Sequence, residues 1–228
     1  MKIVKQSFEI LSDISDGGLK ELKQIERVAR VCYKSENKIT EDGSSAKKLV
    51  SFLIKQGHEA MLEHSQLSVL FTCDRAIANE LVRHRIASFA QESTRYCNYA
   101  GNRFGGEITV IQPDYLEEGS FDWLSWIYVC KECDHEYAMA IKEKHMRPEQ
   151  ARCLLPLSLK TDIVVTANYR EWRNIFKLRC DKAAHPQMRV LMTSLLTELQ
   201  DKIPVIFDDL LFDEVQANAE VNNETGNV

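Results

Sequence analysis

Residues 83–96, RHRIASFAQESTRY, form the most informative stretch of this chain, with three arginines, a histidine, two serines and a tyrosine in fourteen positions. An arginine side chain presents a planar fork of donors that matches phosphate oxygens, so the stretch predicts a pocket for a phosphorylated ligand. The alternative is a helix end whose basic residues complement its negative pole. That alternative explains residues 83–85 but not the polar residues 93–96 that follow.

The stretch lies between segments that mix helical and extended patterns. Asp74 is a good N-cap for a helix over residues 75–85, and residues 87–102 are predicted to form a functional loop. Apolar periodicity and β-branched runs assign the remaining elements. Further helices are predicted over residues 19–33, 44–56, 120–144, 170–179 and 186–203, and another is predicted to begin at residue 147. Strands are predicted over residues 3–11, 67–72, 107–112 and 159–166.

The predicted order of elements favours the α+β class over a doubly wound sheet, because few strands alternate cleanly with helices. We expect a single domain with long helices packed on a mostly antiparallel sheet. The chain has 228 residues, of which 44% are hydrophobic and 28% charged, as is ordinary for a globular protein. Residues 1–214 are predicted to be one catalytic domain, and the polar residues 215–228 a flexible C-terminal tail.

Composition limits the classes of partner. The formal net charge of −5 argues against a dedicated nucleic-acid binder, so the basic stretch is better suited to a small anion. No apolar run approaches the roughly 20 residues of a membrane span, and the N-terminus lacks the apolar segment of a signal peptide. The seven cysteines show no framework spacing, which indicates free thiols in a reducing compartment. We therefore expect a cytoplasmic protein that binds neither membranes nor nucleic acid.

Two short motifs raise the possibility of a metal. His58 and His64 are six positions apart, whereas the zinc-hydrolase motif places its histidines at i and i+4 on one helical face. Cys130 and Cys133, with His135, have a spacing compatible with zinc or redox chemistry, but no second cysteine pair has zinc-ribbon spacing. The histidine spacing therefore argues against a zinc hydrolase, and buried thiols explain the cysteine pair, so no metal site is predicted.

The chain resembles the flavin-dependent thymidylate synthases. The signature of that family is similar to the pattern in residues 83–96, which is Arg-His-Arg from Arg83, seven further residues, Ser93 and then Arg95-Tyr96. Residues 149–156 are similar to its Ala-Arg-x-x-Leu-Pro block, residues 168–179 to its Asn-x-Arg-Glu segment, and residues 57–64 to its Gly-His-x-x-x-x-Glu-His block. The resemblance covers residues 58–189, which is most of the chain.

The resemblance implies a nucleotide site, a flavin site and one catalytic residue. Arg179 is the implied catalytic group, because a fixed cation against a pyrimidine carbonyl stabilises the ring as negative charge develops. The implied dUMP residues are Glu80, Arg83, Gln91, Glu92, Ser93, Thr94, Arg95, Arg152 and Arg179. The implied FAD residues are His58, Arg83, His84, Arg85, Gln91, Asn168, Arg170 and Asn174.

The implied reaction is the reductive methylation of dUMP to dTMP. Methylenetetrahydrofolate supplies the one-carbon unit, and NADPH reduces a tightly bound FAD. The chain has no Gly-x-Gly-x-x-Gly fingerprint, so the flavin cannot be held in the Rossmann manner. The resemblance instead implies a homotetramer whose sites are shared between subunits. Ser93 is expected to bind phosphate rather than act as a nucleophile, because an activated serine needs a positioned base and the flanking arginines oppose the protonation that His84 would undergo in that role.

The sequence departs from the family pattern at three places. Glu80 stands where many members have Gln, Ala60 where a hydroxyl side chain often contacts flavin, and residues 183–187 replace the usual His-Ala-Gln order.

Two other functions stay open from the residues alone. A module for single-stranded nucleic acid would combine cations with stacking rings. Its residues would be Arg83, Arg85, Arg95, Tyr96, Tyr99, Arg103 and Phe104. A structural or regulatory oligomer that senses a nucleotide is the second alternative.

Overall fold

The computed structural model describes residues 1–212, which cluster into two compact units. Unit 1 comprises residues 1–8, 70–83 and 89–164, and unit 2 comprises residues 9–69, 84–88 and, of the described residues, 165–212. One catalytic domain over residues 1–214 stays a prediction. The predicted tail, residues 215–228, lies outside the described residues.

The described helices and strands follow most of the predicted segments. The α-helices are α1 (Leu19–Val31), α2 (Ser44–Lys55), α3 (Arg75–Leu81), α4 (Phe121–Lys142), α5 (Pro148–Ala151), α6 (Tyr169–Arg179), α7 (Pro186–Lys202) and α8 (Pro204–Phe207). The strands are β1 (Lys2–Val4), β2 (Ser7–Ile10), β3 (Gln66–Asp74), β4 (Ala87–Gln91), β5 (Thr109–Ile111) and β6 (Lys160–Asn168). Short 3-10 helices cover residues 36–38, 59–64, 102–104 and 152–154.

The strands form two sheets. The larger sheet has the order β2-β3-β6-β4, and the smaller one is a parallel pair in which β1 lies beside β5 with Lys2 opposite Thr109. The α+β class with a mostly antiparallel sheet is thereby confirmed. No helix within residues 1–212 is both long enough and apolar enough to cross a membrane.

Two predictions about the central stretch were wrong. The Asp74 carboxylate caps α3 as expected, accepting a hydrogen bond from the Ile77 amide at 2.7 Å, but the helix ends at Leu81 instead of residue 85. Residues 87–91, predicted to begin a loop, form β4. This strand has little apolar alternation of its own, and its place at the edge of the larger sheet is what makes it extended. The predicted strand 3–11 is likewise divided into β1 and β2.

Unit 1 has its own hydrophobic core beneath α4. Tyr137 and Cys130 of α4 are buried with Tyr99, Ile108 and Val110. The rings of Tyr99 and Tyr137 lie 6.0 Å apart at a tilted angle. Because Tyr99 follows directly on the 83–96 stretch, its burial in this core fixes the end of the predicted phosphate-binding segment.

The core of unit 2 is built around α6. Trp172 and Phe176 stack at 5.8 Å between ring centroids, and Phe176 meets Phe207 of α8 edge to face at 5.7 Å. The Trp172 indole N–H also donates to the backbone carbonyl of Leu67 in β3 at 3.0 Å. Because α6 is packed this tightly on one side, the polar side chains on its other faces are held in fixed positions.

Candidate functional site

Ser93 begins a tight turn directly after β4 in unit 1. Its backbone carbonyl accepts hydrogen bonds from the amides of Tyr96 at 3.2 Å and Cys97 at 2.9 Å. Its hydroxyl oxygen accepts one from the Arg95 amide at 3.2 Å. The Arg95 guanidinium lies over the exposed Tyr96 ring at 5.4 Å and 3.9 Å from the Glu149 carboxylate. The turn therefore presents a serine and an exposed arginine on a defined backbone.

Glu92 anchors this turn to the rest of unit 1. Its carboxylate accepts from the Tyr99 hydroxyl at 2.5 Å and from the Lys160 ammonium at 3.0 Å. Its backbone carbonyl accepts from Arg75 at 2.9 Å, and its amide donates to the Asp162 carbonyl at 2.9 Å. The structure thus gives Glu92 a structural role in holding the turn, while its contact with dUMP stays a prediction.

The pKa values of Lys160 and Tyr99 show that both side chains stay donors to Glu92, and these three residues are called the Glu92 anchor. Burial acts to lower the pKa of Lys160, but hydrogen bonds to Asp162 and Glu92 outweigh it and raise that pKa above its usual value. Burial and the adjacent Glu92 carboxylate raise the pKa of Tyr99. Lys160 is therefore charged and Tyr99 protonated throughout the neutral range, so both donate to Glu92 permanently.

Removing the ammonium of this anchor should weaken nucleotide binding. In Lys160→Met the Glu92 carboxylate loses a charged donor, an interaction worth about 1.5–3 kcal/mol, so we expect the KM for dUMP to rise roughly tenfold. Steady-state kinetics measures this, with Lys142→Met on α4 as the matched control. An unchanged KM in Lys160→Met would contradict the role of the anchor.

The other predicted dUMP residues of unit 1 differ in exposure. Arg83 and Arg152 are exposed, the first in the turn after α3 and the second at the start of the 152–154 helix. Glu80 and Thr94 are half-buried. The Gln91 side-chain amide donates to the Thr161 hydroxyl at 3.4 Å. Arg179 is the one member of the predicted set that belongs to unit 2.

Unit 2 contains a cleft of about 430 Å³ beside the N-terminal half of α6. It is lined by Glu59, Glu63, Ile86, Asn168, Arg170, Glu171, Asn174 and Lys177. Three predicted FAD residues, Asn168, Arg170 and Asn174, therefore share one cavity. Among the other predicted FAD residues, His84 is buried and lies two positions before the cleft residue Ile86. Arg85 and His58 are exposed in unit 2, whereas Arg83 and Gln91 belong to unit 1.

The donors of this cleft suit part of a flavin dinucleotide. Arg170 and Lys177 provide cationic donors of the kind that bind a pyrophosphate, and Asn174 provides an amide of the kind that binds a ring edge. Two of the three carboxylates of the cleft have cationic partners, since Glu63 pairs with Arg170 at 2.5 Å and Glu59 with Arg173 at 3.0 Å, and the third, Glu171, faces His84. The residues present therefore fit the polar groups of the cofactor that the sequence implies.

His84 and Arg179 are joined by a direct hydrogen bond within unit 2. The Arg179 Nε–H donates to Nε2 of His84 at 3.0 Å, and the other ring nitrogen, Nδ1, lies 3.3 Å from the Glu171 carboxylate. His84 and Glu171 are both buried, with relative exposures of 5% and 7%. The three side chains form a hydrogen-bonded series in which the imidazole of His84 links the Glu171 carboxylate to the Arg179 guanidinium.

His84 is neutral, as the sequence predicted, but for a different reason. Burial is the main cause of its lowered pKa, and the positive charge of Arg179 adds to it. Glu171 opposes the shift and does not reverse it. The sequence had assigned this effect to the flanking Arg83 and Arg85, whose side chains are exposed.

Arg173 is a buried structural residue behind the cleft that the sequence did not predict. Its side chain is 2% exposed, and its guanidinium binds Asp209 through two parallel hydrogen bonds at 2.6 and 2.7 Å. It also donates to Glu59 at 3.1 Å and to the Ile206 carbonyl. A signal was present, since an arginine between Trp172 and the apolar residues 175–176 falls on the buried face of α6. Arg173 therefore ties α6 both to the cleft residue Glu59 and to the segment after α8.

The Arg173 pair makes stability depend on acid pH. The hydrogen bond from Arg173 lowers the pKa of Asp209 below its usual 3.8, so the unfolded chain binds this proton more readily than the folded one. The contribution is complete above pH 3.8 and is lost as the pH falls through the folded-state pKa. We expect Asp209→Asn to flatten this part of the stability profile in urea unfolding at a series of pH values, and the exposed neighbour variant Asp208→Asn to leave it unchanged. Parallel profiles for wild type and Asp209→Asn would contradict the pairing.

The two possible metal motifs lie in different units and differ in burial. His58 and His64 flank the ends of the 59–64 helix and are both exposed. Cys130 is buried and Cys133 half-buried on α4, and all seven cysteines are free thiols. Within residues 1–212, no group of three or more His, Cys, Asp or Glu side chains could hold a metal ion.

One departure from the family pattern has a structural explanation. His185 is the N-cap of α7, where its Nδ1 accepts from the Gln187 amide at 3.3 Å, and Pro186 occupies the first helical position. The changed order over residues 183–187 thus forms a helix start. Ala60 is exposed in the 59–64 helix, and Glu80 lies in the last turn of α3.

Comparison with known proteins agrees with the geometry. The family model described as thymidylate synthase complementing protein matches residues 19–205. The flavin-dependent thymidylate synthase of Geobacter sulfurreducens is 33% identical over 187 residues, covering 79% of this chain and 78% of that protein. The one from Corynebacterium aurimucosum is 28% identical over 212 residues, covering 86% and 83%.

A solved structure shows the same fold. The UMP/dUMP methylase PolB from Streptomyces cacaoi, bound with 5-Br dUMP, superposes with a TM-score of 0.71 at 20% identity, covering 91% of this chain and 96% of that one. The predicted resemblance is therefore confirmed by the family model and by the relatives. This chain belongs to the family of flavin-dependent thymidylate synthases.

Proposed function

We propose that this protein is an FAD-dependent enzyme that methylates dUMP to dTMP. The observation that carries the proposal is the fixed cation Arg179, held by a neutral histidine in a chain whose family is named for this reaction. When bound, FAD supplies the hydride chemistry, and the protein supplies orientation and charge. The co-substrates of the proposal are methylenetetrahydrofolate and NADPH.

The proposed reaction balances with these co-substrates. The methylene carbon bonds to the pyrimidine ring, and the ring hydrogen that it replaces leaves as a proton. Two electrons from NADPH reduce the one-carbon unit to a methyl group and release tetrahydrofolate. The protein therefore needs to hold a nucleotide phosphate, polarise a ring carbonyl and retain a flavin.

Each task has proposed residues. Ser93, Arg95 and Arg152 bind the phosphate, since the first two lie on the anchored turn and all three offer donors for oxyanions. Arg179 polarises the pyrimidine carbonyl. The remaining dUMP residues of the proposal are Glu80, Arg83, Gln91, Glu92 and Thr94. The FAD residues are His58, Arg83, His84, Arg85, Gln91, Asn168, Arg170 and Asn174.

The proposal includes a homotetramer with shared sites. A helical face of α4 carries Phe121, Leu124 and Tyr128, with relative exposures of 83%, 54% and 65%. Apolar and aromatic groups clustered on one face are typical of subunit interfaces. Light scattering and absorbance measured on the same chromatographic peak give mass and flavin content together, and a colourless monomer would contradict both assignments.

Purified protein tests the proposed activity. It should absorb in the flavin bands, release FAD on denaturation and convert dUMP to dTMP only when methylenetetrahydrofolate and NADPH are both present. Flavin without turnover would favour the nucleotide-sensing oligomer. Salt-dependent binding of oligonucleotides without flavin would favour the nucleic-acid module.

The nucleic-acid alternative is weakened by the burial of its rings. Tyr99 is 5% exposed, and its hydroxyl is bound to Glu92. Phe104 is half-buried and packs edge to face against Tyr99 at 5.6 Å. Because stacking needs an accessible ring face, Tyr96 alone among the three proposed rings is exposed enough to receive a base.

A further inference from the structure

Glu171 has no assigned role in the proposed reaction, yet it is a buried carboxylate that reaches the proposed catalytic residue through one intermediary. Glu171 lies in the first turn of α6 and Arg179 at its last residue. Eight residues of helix separate the two by about 12 Å along the axis, so they cannot meet directly on the helix surface. His84, from the 84–88 segment of unit 2, bridges them.

The donors and acceptors of Glu171, His84 and Arg179 admit only one placement of the imidazole proton. A guanidinium has only donors, so Nε2 of His84 must offer its lone pair to Arg179. A neutral imidazole that accepts at Nε2 carries its proton on Nδ1. That proton points to Glu171, whose carboxylate can only accept. The hydrogen bond from Arg179 to Nε2 and the one from Nδ1 to Glu171 therefore require the same tautomer of His84.

Glu171 is itself held in place. Its amide donates to the Asn168 side chain at 2.8 Å, which caps α6. Its two carboxylate oxygens each lie 3.4 Å from the side-chain nitrogen of Asn174. A carboxylate fixed at both backbone and side chain can define the orientation of the ring that it faces.

We propose that Glu171 is a positioning residue, which fixes His84 in the Nδ1–H tautomer and thereby aligns Arg179 for the pyrimidine. The role of Arg179 in this inference rests on the proposed function, whereas the tautomer does not. The groups that face His84 are the Glu171 carboxylate and the Arg179 guanidinium. Glu171 thus acts through two hydrogen bonds and does not touch the substrate.

The structural alternative is that Glu171 only stabilises the start of α6, where an acidic residue is favourable. That role predicts a loss of stability in any variant without the charge. It predicts no change in the proton position on His84. The two roles are separated by comparing Glu171→Gln, which keeps an oxygen acceptor, with Glu171→Leu, which removes it.

The first measurement is spectroscopic, and its decisive result comes from the wild-type protein. Nitrogen-15 spectra of the purified protein, labelled on histidine and assigned by the missing signal in His84→Gln, report which ring nitrogen carries the proton. We expect the Nδ1–H tautomer in wild type and in Glu171→Gln, and the Nε2–H tautomer in Glu171→Leu. A wild-type His84 protonated on Nε2, or charged at neutral pH, would overturn the inference even if the leucine variant does not fold.

The second measurement is kinetic. Loss of an orienting partner typically lowers activity on the order of 10- to 100-fold, so Glu171→Leu should lose kcat by that factor while its KM for dUMP stays close to wild type. Because Glu171 lines the cleft proposed for FAD, kcat is measured in excess FAD and expressed per bound flavin. Glu171→Gln should keep most of kcat, and Glu198→Leu on α7 serves as the matched control. If the glutamine and leucine variants lose kcat equally, or neither does, the inference is wrong.

The outcomes also separate this inference from the proposed function. A wild-type protein without dUMP methylation overturns the proposed function and the role of Arg179, whatever the spectra show. An active wild type whose kcat is insensitive to Glu171→Leu overturns the inference alone.

Discussion

Arg179→Ala should abolish nearly all turnover while the protein keeps its fold and its flavin. Removing one preorganised group that stabilises developing charge typically lowers kcat on the order of 100- to 1000-fold. Arg179 is half-buried at the C-terminal end of α6, and its Nε–H is bound to His84, so the cation is held in one orientation before substrate binds. Rapid-mixing or steady-state assays of dTMP formation measure the loss.

Two further variants sharpen this prediction. Arg179→Lys keeps the charge but not the planar fork, so it should recover only part of the activity. Lys182→Ala removes an exposed cation three residues further along and should behave as wild type. Full activity in Arg179→Ala would remove the activating role that we assign to this residue.

Arg173→Met should cause the largest loss of stability. Breaking a buried ion pair from one side costs about 3–5 kcal/mol, because the remaining partners stay buried without a donor. Here the main such partner is the Ile206 carbonyl, since Glu59 keeps Lys177 at 3.8 Å and the half-exposed Asp209 can return to water. For a chain of this size we expect a fall in Tm of roughly 6–20 °C.

Arg170→Met is the matched control for this variant. Arg170 lies on the same helix, and its ion pair with Glu63 is about half exposed on both sides. Such surface pairs contribute about 0–1 kcal/mol, so its Tm should change little in the absence of cofactor. Equal effects of the two substitutions on Tm would show that Arg173 does not stabilise the fold by tying α6 to Glu59 and to the segment after α8.

Local signals in the sequence predicted the regular elements that carry the site. The apolar spacing along residues 19–31 and 186–202 predicts α1 and α7, and the carboxylate of Asp74 predicts the start of α3. The spacing from Arg83 to Tyr96 predicts the binding stretch, because its residue types at those positions have no simpler explanation.

Contacts between distant segments were beyond this kind of prediction. β4 is extended because it pairs in a sheet, and its own residues favour that state only weakly. Glu171 looked like one charge among several on an amphipathic helix, since only the fold brings it to His84. Arg173 could be identified as buried from its position on α6, but its partners Glu59 and Asp209 could not.

Release of tritium from dUMP, labelled at the ring carbon that receives the methyl group, measures the proposed methylation at the reacting carbon itself. We expect purified wild-type protein, with its own bound FAD, to release tritium into water and to form dTMP in equal amounts. Both should require methylenetetrahydrofolate and NADPH, and both should fall together in Arg179→Ala. Flavin-loaded protein that leaves the label in place under these conditions would contradict the account.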